Sequence, residues 1–280
     1  MSSRARYKGK GKKNILIISG VHGDEKTPVA ITQKIIEIHD SFNDNYRNLV
    51  ILHAINKPAL EVNSRYDNDF DLNRAFDGNH DNHVLVNKIK KEIEDSDIII
   101  DIHSSKSCME LLAIDNTEYG KCFCDFADQL CIPYVIHKGN DATIKRYCLS
   151  IGKPCFTVEV NKLNEVDHES ASKGYDMVSN IVENINQLNF QSSDEIPTLT
   201  KSLLTKEDCV ILPLVNVGDL IQPNQKVAIK INRNGDAKYI LSKEKSPCKV
   251  LTTNYTDYQN DDNILKCNTR KNITLFSISG

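Results

Sequence analysis

From Asn14 to about residue 190 the chain alternates short apolar runs with stretches of helical period, and few folds accept that order. Asn14–Ser19 carries Ile15, Leu16, Ile17 and Ile18 in a row and ends at Gly20, the pattern of a strand buried on both faces. Ile31, Ile35, Ile38 and Phe42 then recur with helical spacing, with Thr27 a natural N-cap and Pro28 suited to the first helical position. Leu49–Ile55 reads as a second strand, His83–Asp95 as a second helix through Leu85, Ile89 and Ile93, and Asp97–His103 as a third strand. Met109–Asp115, Tyr134–His137 and Cys155–Val160 read as further strands, with helical stretches near 121–131 and 143–151 between them. Met177, Ile181, Ile185 and Leu188 mark a closing helix. This order predicts an α/β fold with a mostly parallel or mixed central sheet flanked by helices, its functional groups gathered at the carboxyl ends of strands. Residues 14–190 are read as that α/β domain.

The pattern then changes. Residues 191–197 are a polar linker, and beyond them short apolar runs punctuated by Gly218, Pro223, Gly235 and Pro247 predict a small all-β domain over 198–280. Residues 1–13 hold Arg4, Arg6, Lys8, Lys10, Lys12 and Lys13 and no acid, so they read as a basic flexible tail. The formal charge is −3 overall; with +6 in the tail, the body carries −9. An acidic body argues against a nucleic-acid partner, because such domains concentrate Lys and Arg on one face. Nine cysteines would suggest a disulfide framework in a secreted chain. No signal-like apolar segment occurs, and no apolar run approaches the roughly 18 residues of a membrane span. The expectation is a cytoplasmic protein without a membrane partner, whose reduced cysteines fill the core.

The segment richest in chemistry is Gly20-Val21-His22-Gly23-Asp24-Glu25, between the first strand and the first helix. Its glycines permit a tight turn, and a His and a Glu three apart on it can aim at one point. Imidazole and carboxylate suit zinc, and a catalytic zinc takes three protein ligands and keeps one position open. The third ligand is expected from another strand end, where His103 stands at the tip of the third strand. His22, Glu25 and His103 thus predict one zinc ion per chain.

Gly-x-His-Gly-Asp-Glu, Asp71-Leu72-Asn73-Arg74, Asp101-Ile102-His103 and Thr157-Val158-Glu159-Val160 occur in the order found in the zinc carboxypeptidase superfamily. The chain resembles most its branch of succinylglutamate desuccinylases and aspartoacylases. The resemblance implies zinc on His22, Glu25 and His103, and Glu159 as the general base, whose central place in an apolar run makes an idle charge expensive. It implies that Asn73 and Arg74 grip a substrate carboxylate and that Asp71 orients a zinc histidine, His22. Arg65 would polarise the scissile carbonyl or neutralise the oxyanion, and Asn56 would shape the pocket wall. For the arginine that helps choose the substrate's amino acid, Arg146, adjoined by Lys145, is the candidate. Tyr258 is the candidate for a tyrosine reaching back from the β domain, with Tyr255 the runner-up.

No H-E-x-x-H, G-x-S-x-G or G-x-G-x-x-G occurs, so zincin, serine-hydrolase and dinucleotide readings lack their residues. The reading is a zinc-dependent hydrolase cleaving the amide of a small acidic N-acyl amino acid. The alternatives are a metallocarboxypeptidase on short peptides and, from another class, a zinc-fold binding protein without turnover. A homo-oligomer is compatible with this reading.

Overall fold

The computed structural model describes residues 3–42, 44–105 and 109–197, and in the C-terminal part 202–204, 209–216, 219–232, 234–242, 248–253 and 272–276. The chain divides into a larger unit, Met1–Ser105 with Glu110–Leu199, and a smaller one that holds Thr200–Gly280.

In the larger unit the strands are β1 (Ser3–Lys8), β2 (Asn14–Ile18), β3 (Asn48–His53), β4 (Ile98–Ser105), β5 (Leu111–Asp115), β6 (Tyr134–His137) and β7 (Cys155–Asn161). The helices are α1 (Lys26–Glu37), α2 (Lys57–Glu61), α3 (Val84–Glu94), α4 (Gly120–Gln129), α5 (Ile144–Ser150) and α6 (His168–Asn184). One sheet runs β1-β3-β2-β4-β7-β5-β6. It is mixed: β3, β2, β4 and β7 are parallel, while β1 and β5 run against their neighbours β3 and β7.

The unbroken apolar runs follow from a sheet covered on both faces, because successive side chains of a strand point to opposite sides. Ile15 and Ile17 of β2 join Ile51, Ile100, Phe156 and Val158 under α1, α4 and α6. Leu16 and Ile18 join Val50, Leu52 and Ile99 under Val86, Ile89 and Ile93 of α3 and Ile144 and Cys148 of α5. Each of these aliphatic side chains is fully or almost fully buried, worth about 1.5–3 kcal/mol apiece relative to exposure.

Thr27 does not cap α1. The helix begins two residues earlier than expected, at Lys26, with Glu25 in the cap position and no side-chain hydrogen bond there. Thr27 is buried and instead accepts from the Asp167 N–H (3.1 Å). The local capping signal yields because the Glu25 carboxylate is drawn to other partners. α6 is capped as such helices usually are, Asp167 accepting from the Ser170 N–H. Residues 191–197 carry no helix or strand, yet the Ser193 N–H donates to Glu118 O (2.7 Å) and so ties them to the larger unit. The described parts of the smaller unit are strands in two antiparallel sheets, Leu220–Ile221, Cys248–Thr253, Asn272–Phe276 and Ser202–Leu204 in one and Ala237–Leu241, Lys226–Asn232 and Cys209–Pro213 in the other.

Among the described cysteines, Cys124, Cys148 and Cys155 are buried, as core filling requires, whereas Cys122 is half-buried and Cys131 exposed. Burial pushes the Cys122 thiol up to about 11 and the Cys124 thiol up to about 12, so neither is a ready nucleophile. Among the described residues no helix is long and apolar enough to cross a membrane.

The N-terminal segment departs from expectation. Residues 3–8, read as part of a flexible tail, pair with β3 in full register from Ser3↔His53 to Lys8↔Asn48. Read with a period of two, the tail's charges are the outer face of an edge strand: Arg4, Arg6 and Lys8 are exposed, while Ala5 and Tyr7 turn inward and pack against the core. Arg4 also clasps Glu92 of α3 (2.7 Å), whose side chain is only 8% exposed, with Arg6 Nη2 3.9 Å from the same carboxylate. Replacing both arginines (R4A/R6A) leaves the largely buried Glu92 without a cation, a loss of about 1–3 kcal/mol. Urea unfolding of the double variant measures it; a midpoint equal to that of the parent protein would mean that the segment is a solvated tail after all.

Candidate active site

The carboxyl ends of β2, β4 and β7 lie side by side, and the candidate residues sit there. After β2 the backbone turns sharply through Gly20, whose φ of +69° favours glycine. Gly23 is pressed against the α2 backbone so closely that a Cβ would lie 2.0 Å from the carbonyl carbon of Ala59. The turn is clamped from the far side: the Asn56 N–H donates to Gly20 O (3.0 Å) and Asn56 Nδ2 to Val21 O (3.1 Å). Asn56, expected on the pocket wall, therefore acts behind it as a brace for the turn that presents His22.

His22, Glu25 and His103 are all buried and offer three ligand atoms within 4.8 Å of one another. Glu25 Oε1 is 2.6 Å from His22 Nδ1, and Glu25 Oε2 is 3.0 Å from His103 Nδ1. The Ser104 N–H also donates to Glu25 Oε2 (3.0 Å). The far ring nitrogens are held by carboxylates: His22 Nε2 by Asp71 Oδ1 (3.2 Å) and His103 Nε2 by Asp101 Oδ2 (2.9 Å). An imidazole that donates Nε2–H to a carboxylate can offer its Nδ1 to a metal once the proton shared with Glu25 is lost, and both Nδ1 atoms face the Glu25 carboxylate. Two imidazole nitrogens and a carboxylate oxygen around one point are a donor set that fits a zinc ion.

Charge in the cluster is tightly balanced. Burial alone would raise the Glu25 pKa, but the His103 and His22 imidazoles hold it down to about 2. Burial disfavours a charged His22, yet its hydrogen bonds to Asp71 and Glu25 outweigh this and raise its pKa. Burial likewise opposes charge on His103, and Asp101 and Glu25 overcome it. Asp101 is missing from the sequence-based site, although the signal was legible: in Asp101-Ile102-His103 the acid and the imidazole are two apart on a strand and so share a face.

Glu159 lies beside this cluster. Its residue pairs with His103 across β4 and β7, it lines the same cleft, and Ser105 Oγ donates to its Oε2 (2.8 Å). Burial raises its pKa, partly offset by His103. Arg65 grips Asp71 through Nε (3.0 Å) and Nη2 (2.9 Å), leaving Nη1 3.5 Å from His22 Nδ1 at the edge of the cluster. Asp71 thus links the arginine and the histidine. Asn73 and Arg74 occupy the 3-10 turn Leu72–Arg74. Asn73 Oδ1 accepts from the Ile144 N–H at the start of α5 (2.9 Å), and Arg74 is exposed, with Nη1 donating to Asn73 O (2.7 Å).

These side chains line one cleft of about 330 Å³ together with His137, Thr143, Lys145 and Thr157. Arg146 does not join them. It pairs with Asp141 (3.2 Å) and borders a separate hollow with Phe76, Asp77 and Tyr147. Adjacent residues of a helix diverge by about 100°, and Lys145 is the one turned into the cleft. Tyr258 and Tyr255 lie outside the described residues.

Residues 11–185 match the family model of the succinylglutamate desuccinylase/aspartoacylase catalytic domain. A succinylglutamate desuccinylase from Photorhabdus laumondii is 30% identical over 89 residues, a stretch covering 32% of this chain and 27% of that protein. The product-bound ectoine utilization protein EutE (DoeB) from Ruegeria pomeroyi has a similar structure, with a TM-score of 0.71 at 16% identity over 98% of this chain and 88% of that one. A succinylglutamate desuccinylase/aspartoacylase from Rhodobacter sphaeroides gives 0.71 at 13% identity over 99% and 89%. At such identities the structural likeness speaks for the fold alone, but the family model spans more than half of the chain, which belongs to the succinylglutamate desuccinylase/aspartoacylase family.

Proposed function

We propose that this chain is a zinc-dependent amidohydrolase that removes the acyl group from an N-acyl amino acid, with Glu159 as its general base. The observation that carries the proposal is the half-buried Glu159 carboxylate in register with His103, opening into the same cleft as the converging His22, Glu25 and His103. His22 Nδ1, His103 Nδ1 and a Glu25 oxygen would hold the zinc, which when bound supplies Lewis-acid polarisation of a carbonyl and acidifies water toward neutrality.

The protein's own groups do the rest. Glu159, made more basic by burial, takes a proton from the attacking water as the new carbon–oxygen bond forms. Ser105 occupies Oε2 and leaves Oε1 for this transfer. The same carboxyl then gives its proton to the amide nitrogen as the carbon–nitrogen bond breaks, so that a carboxylic acid and a free amine leave. Arg65 Nη1, the arm not spent on Asp71, is placed to donate to the oxyanion. The exposed Arg74 guanidinium and Asn73 supply the grip on the α-carboxylate.

Two measurements test the proposal. Metal analysis of the purified protein is expected to give one zinc per chain, lost in His22→Ala and bound about 10–100-fold more weakly in Asp101→Asn. Undiminished zinc in His22→Ala would refute the site. Glu159→Gln is expected to retain zinc but to release amine from N-acyl amino acids about 10²–10⁴-fold more slowly than the parent protein. If the zinc-loaded parent hydrolyses none of N-acetyl-aspartate, N-succinyl-glutamate and a set of other N-acetyl amino acids, the proposal is wrong. Hydrolysis of dipeptides in their place would make the chain a carboxypeptidase.

A further inference from the structure

The cleft continues past Glu159 into a chamber between β5, β6, β7 and the first turn of α5. Its position follows from the strand register. Ala113 of β5 stands opposite Thr157 of β7, two residues before Glu159, and Asp115 of β5 stands opposite His137 of β6. The chamber adjoins the α-carboxylate grip directly, since Asn73 Oδ1 holds the Ile144 N–H and Lys145 is the next residue. On the reading above, Asn73 and Arg74 fix the α-carboxylate, and the chamber beside them receives the side chain carried by the same carbon.

What this chamber presents is charge already neutralised. Lys145 is its one cation among the described residues, and its ammonium lies 2.5 Å from Asp115 Oδ1, with the two side chains 9% and 1% exposed. Nζ also donates to Ala113 O (3.0 Å) and sits 3.2 Å from His137 Nε2. A buried ion pair of this kind is strongly committed, because separating it leaves an uncompensated charge in a desolvated place. Desolvation on its inner side and the adjacent Lys145 hold the pKa of His137, 45% exposed on its outer side, down to about 4 against the pull of Asp115. Arg146, which could have supplied a second guanidinium, faces away and pairs with Asp141. Thr157 Oγ1 is buried on the chamber wall and has no hydrogen-bond partner among the described residues. An orphaned buried hydroxyl in a cleft is a group poised for a ligand's donor or acceptor.

Resting on the deacylase reading, we infer that this chamber selects N-acyl amino acids whose side chain is uncharged and hydrogen-bonding, a hydroxyl or a carboxamide, over those carrying a second carboxylate. A second carboxylate would meet a space whose one cation among the described residues is held by Asp115, and would bring its charge close to that buried carboxylate. A carboxamide or hydroxyl can satisfy Thr157 Oγ1 with no charge to compensate. The acidity that the protein recognises is then the α-carboxylate alone, at Arg74.

Isosteric substrate pairs isolate the charge from the shape. N-acetyl-glutamine against N-acetyl-glutamate, and N-acetyl-asparagine against N-acetyl-aspartate, are compared by kcat/KM for amine release by the zinc-loaded full chain. The carboxamide is expected to be favoured tenfold or more in at least one pair. A smaller preference in both pairs, or preference for the acid, overturns the inference and leaves the deacylase reading standing. Hydrolysis of none of the four nor of other N-acetyl amino acids, with zinc bound, sinks the deacylase reading and the inference with it. Asp115→Asn supplies a second arm: it keeps the shape of the Lys145 partner and frees the ammonium charge, so the amide-to-acid ratio is expected to fall at least tenfold. A folded Asp115→Asn protein with an unchanged ratio would show that Asp115 does not neutralise the chamber and would overturn the inference. If that variant does not fold, the parent protein's substrate pairs decide alone.

Discussion

The buried carboxylate of Glu25 is the interaction on which the rest of this structure depends. It stands at the N-terminus of α1 and receives His22 from its own turn, and His103 and the Ser104 N–H from β4. An isolated carboxylate at that depth would be untenable. It is stable there because two imidazoles, a backbone amide and the positive end of the helix converge on it. Each of these comes from a different constraint. The turn needs Gly20 at positive φ and Gly23 against the α2 backbone, the strand needs the parallel register that sets Ile18 beside Asp101, and the helix needs the apolar stripe that seats it on the sheet. The missing side-chain cap of α1 and the convergence of the cluster are thus one fact, since the residue that would cap the helix is committed to the two histidines.

Much of this was legible in the sequence because it obeys simple periods. The β2 run of four aliphatic residues divides alternately between two core layers, as a strand covered on both faces must. His22, Glu25, His103 and Glu159 were legible because each follows or ends such a run, and parallel strands bring their carboxyl ends together. The N-terminal strand was hidden by the same logic applied without a period: six cations in thirteen residues look like a solvated tail, until alternate positions prove apolar enough to pair with β3. Asp101 could have been found from its two-residue spacing to His103. Lys145, Thr157 and His137 could not, because they meet only through the antiparallel turn of β5 against β7, and a strand's direction leaves no mark in its composition. Choosing Arg146 over Lys145 weighed side-chain chemistry against helix phase, and phase decides which of two neighbours enters a cleft.

The charge of the cleft also changes what the acidic body means. A chain whose body carries −9 would repel an anion if its acids were distributed at random around the mouth. In and around this cleft most of the acids are paired, Glu25 and Asp101 with His103, Asp71 with Arg65 and His22, and Asp115 with Lys145, while Glu159 takes the Ser105 hydroxyl. Pairing at short range cancels each field within a few ångströms, far less than the screening length of about 8 Å in physiological salt. What survives at longer range is the charge left without a partner, and among the described residues of the cleft Arg74 has no carboxylate on it. Attraction for an anion is therefore concentrated at one rim, next to Asn73, rather than spread along the walls. An anionic group drawn to that rim is already oriented with the rest of its molecule directed inward, toward Glu159 and the paired histidines. On the proposed function the neutral chamber and the single charged rim are complementary: the rim would fix which end of the substrate enters first, and the chamber would discriminate among side chains by hydrogen bonding without competing for the same charge.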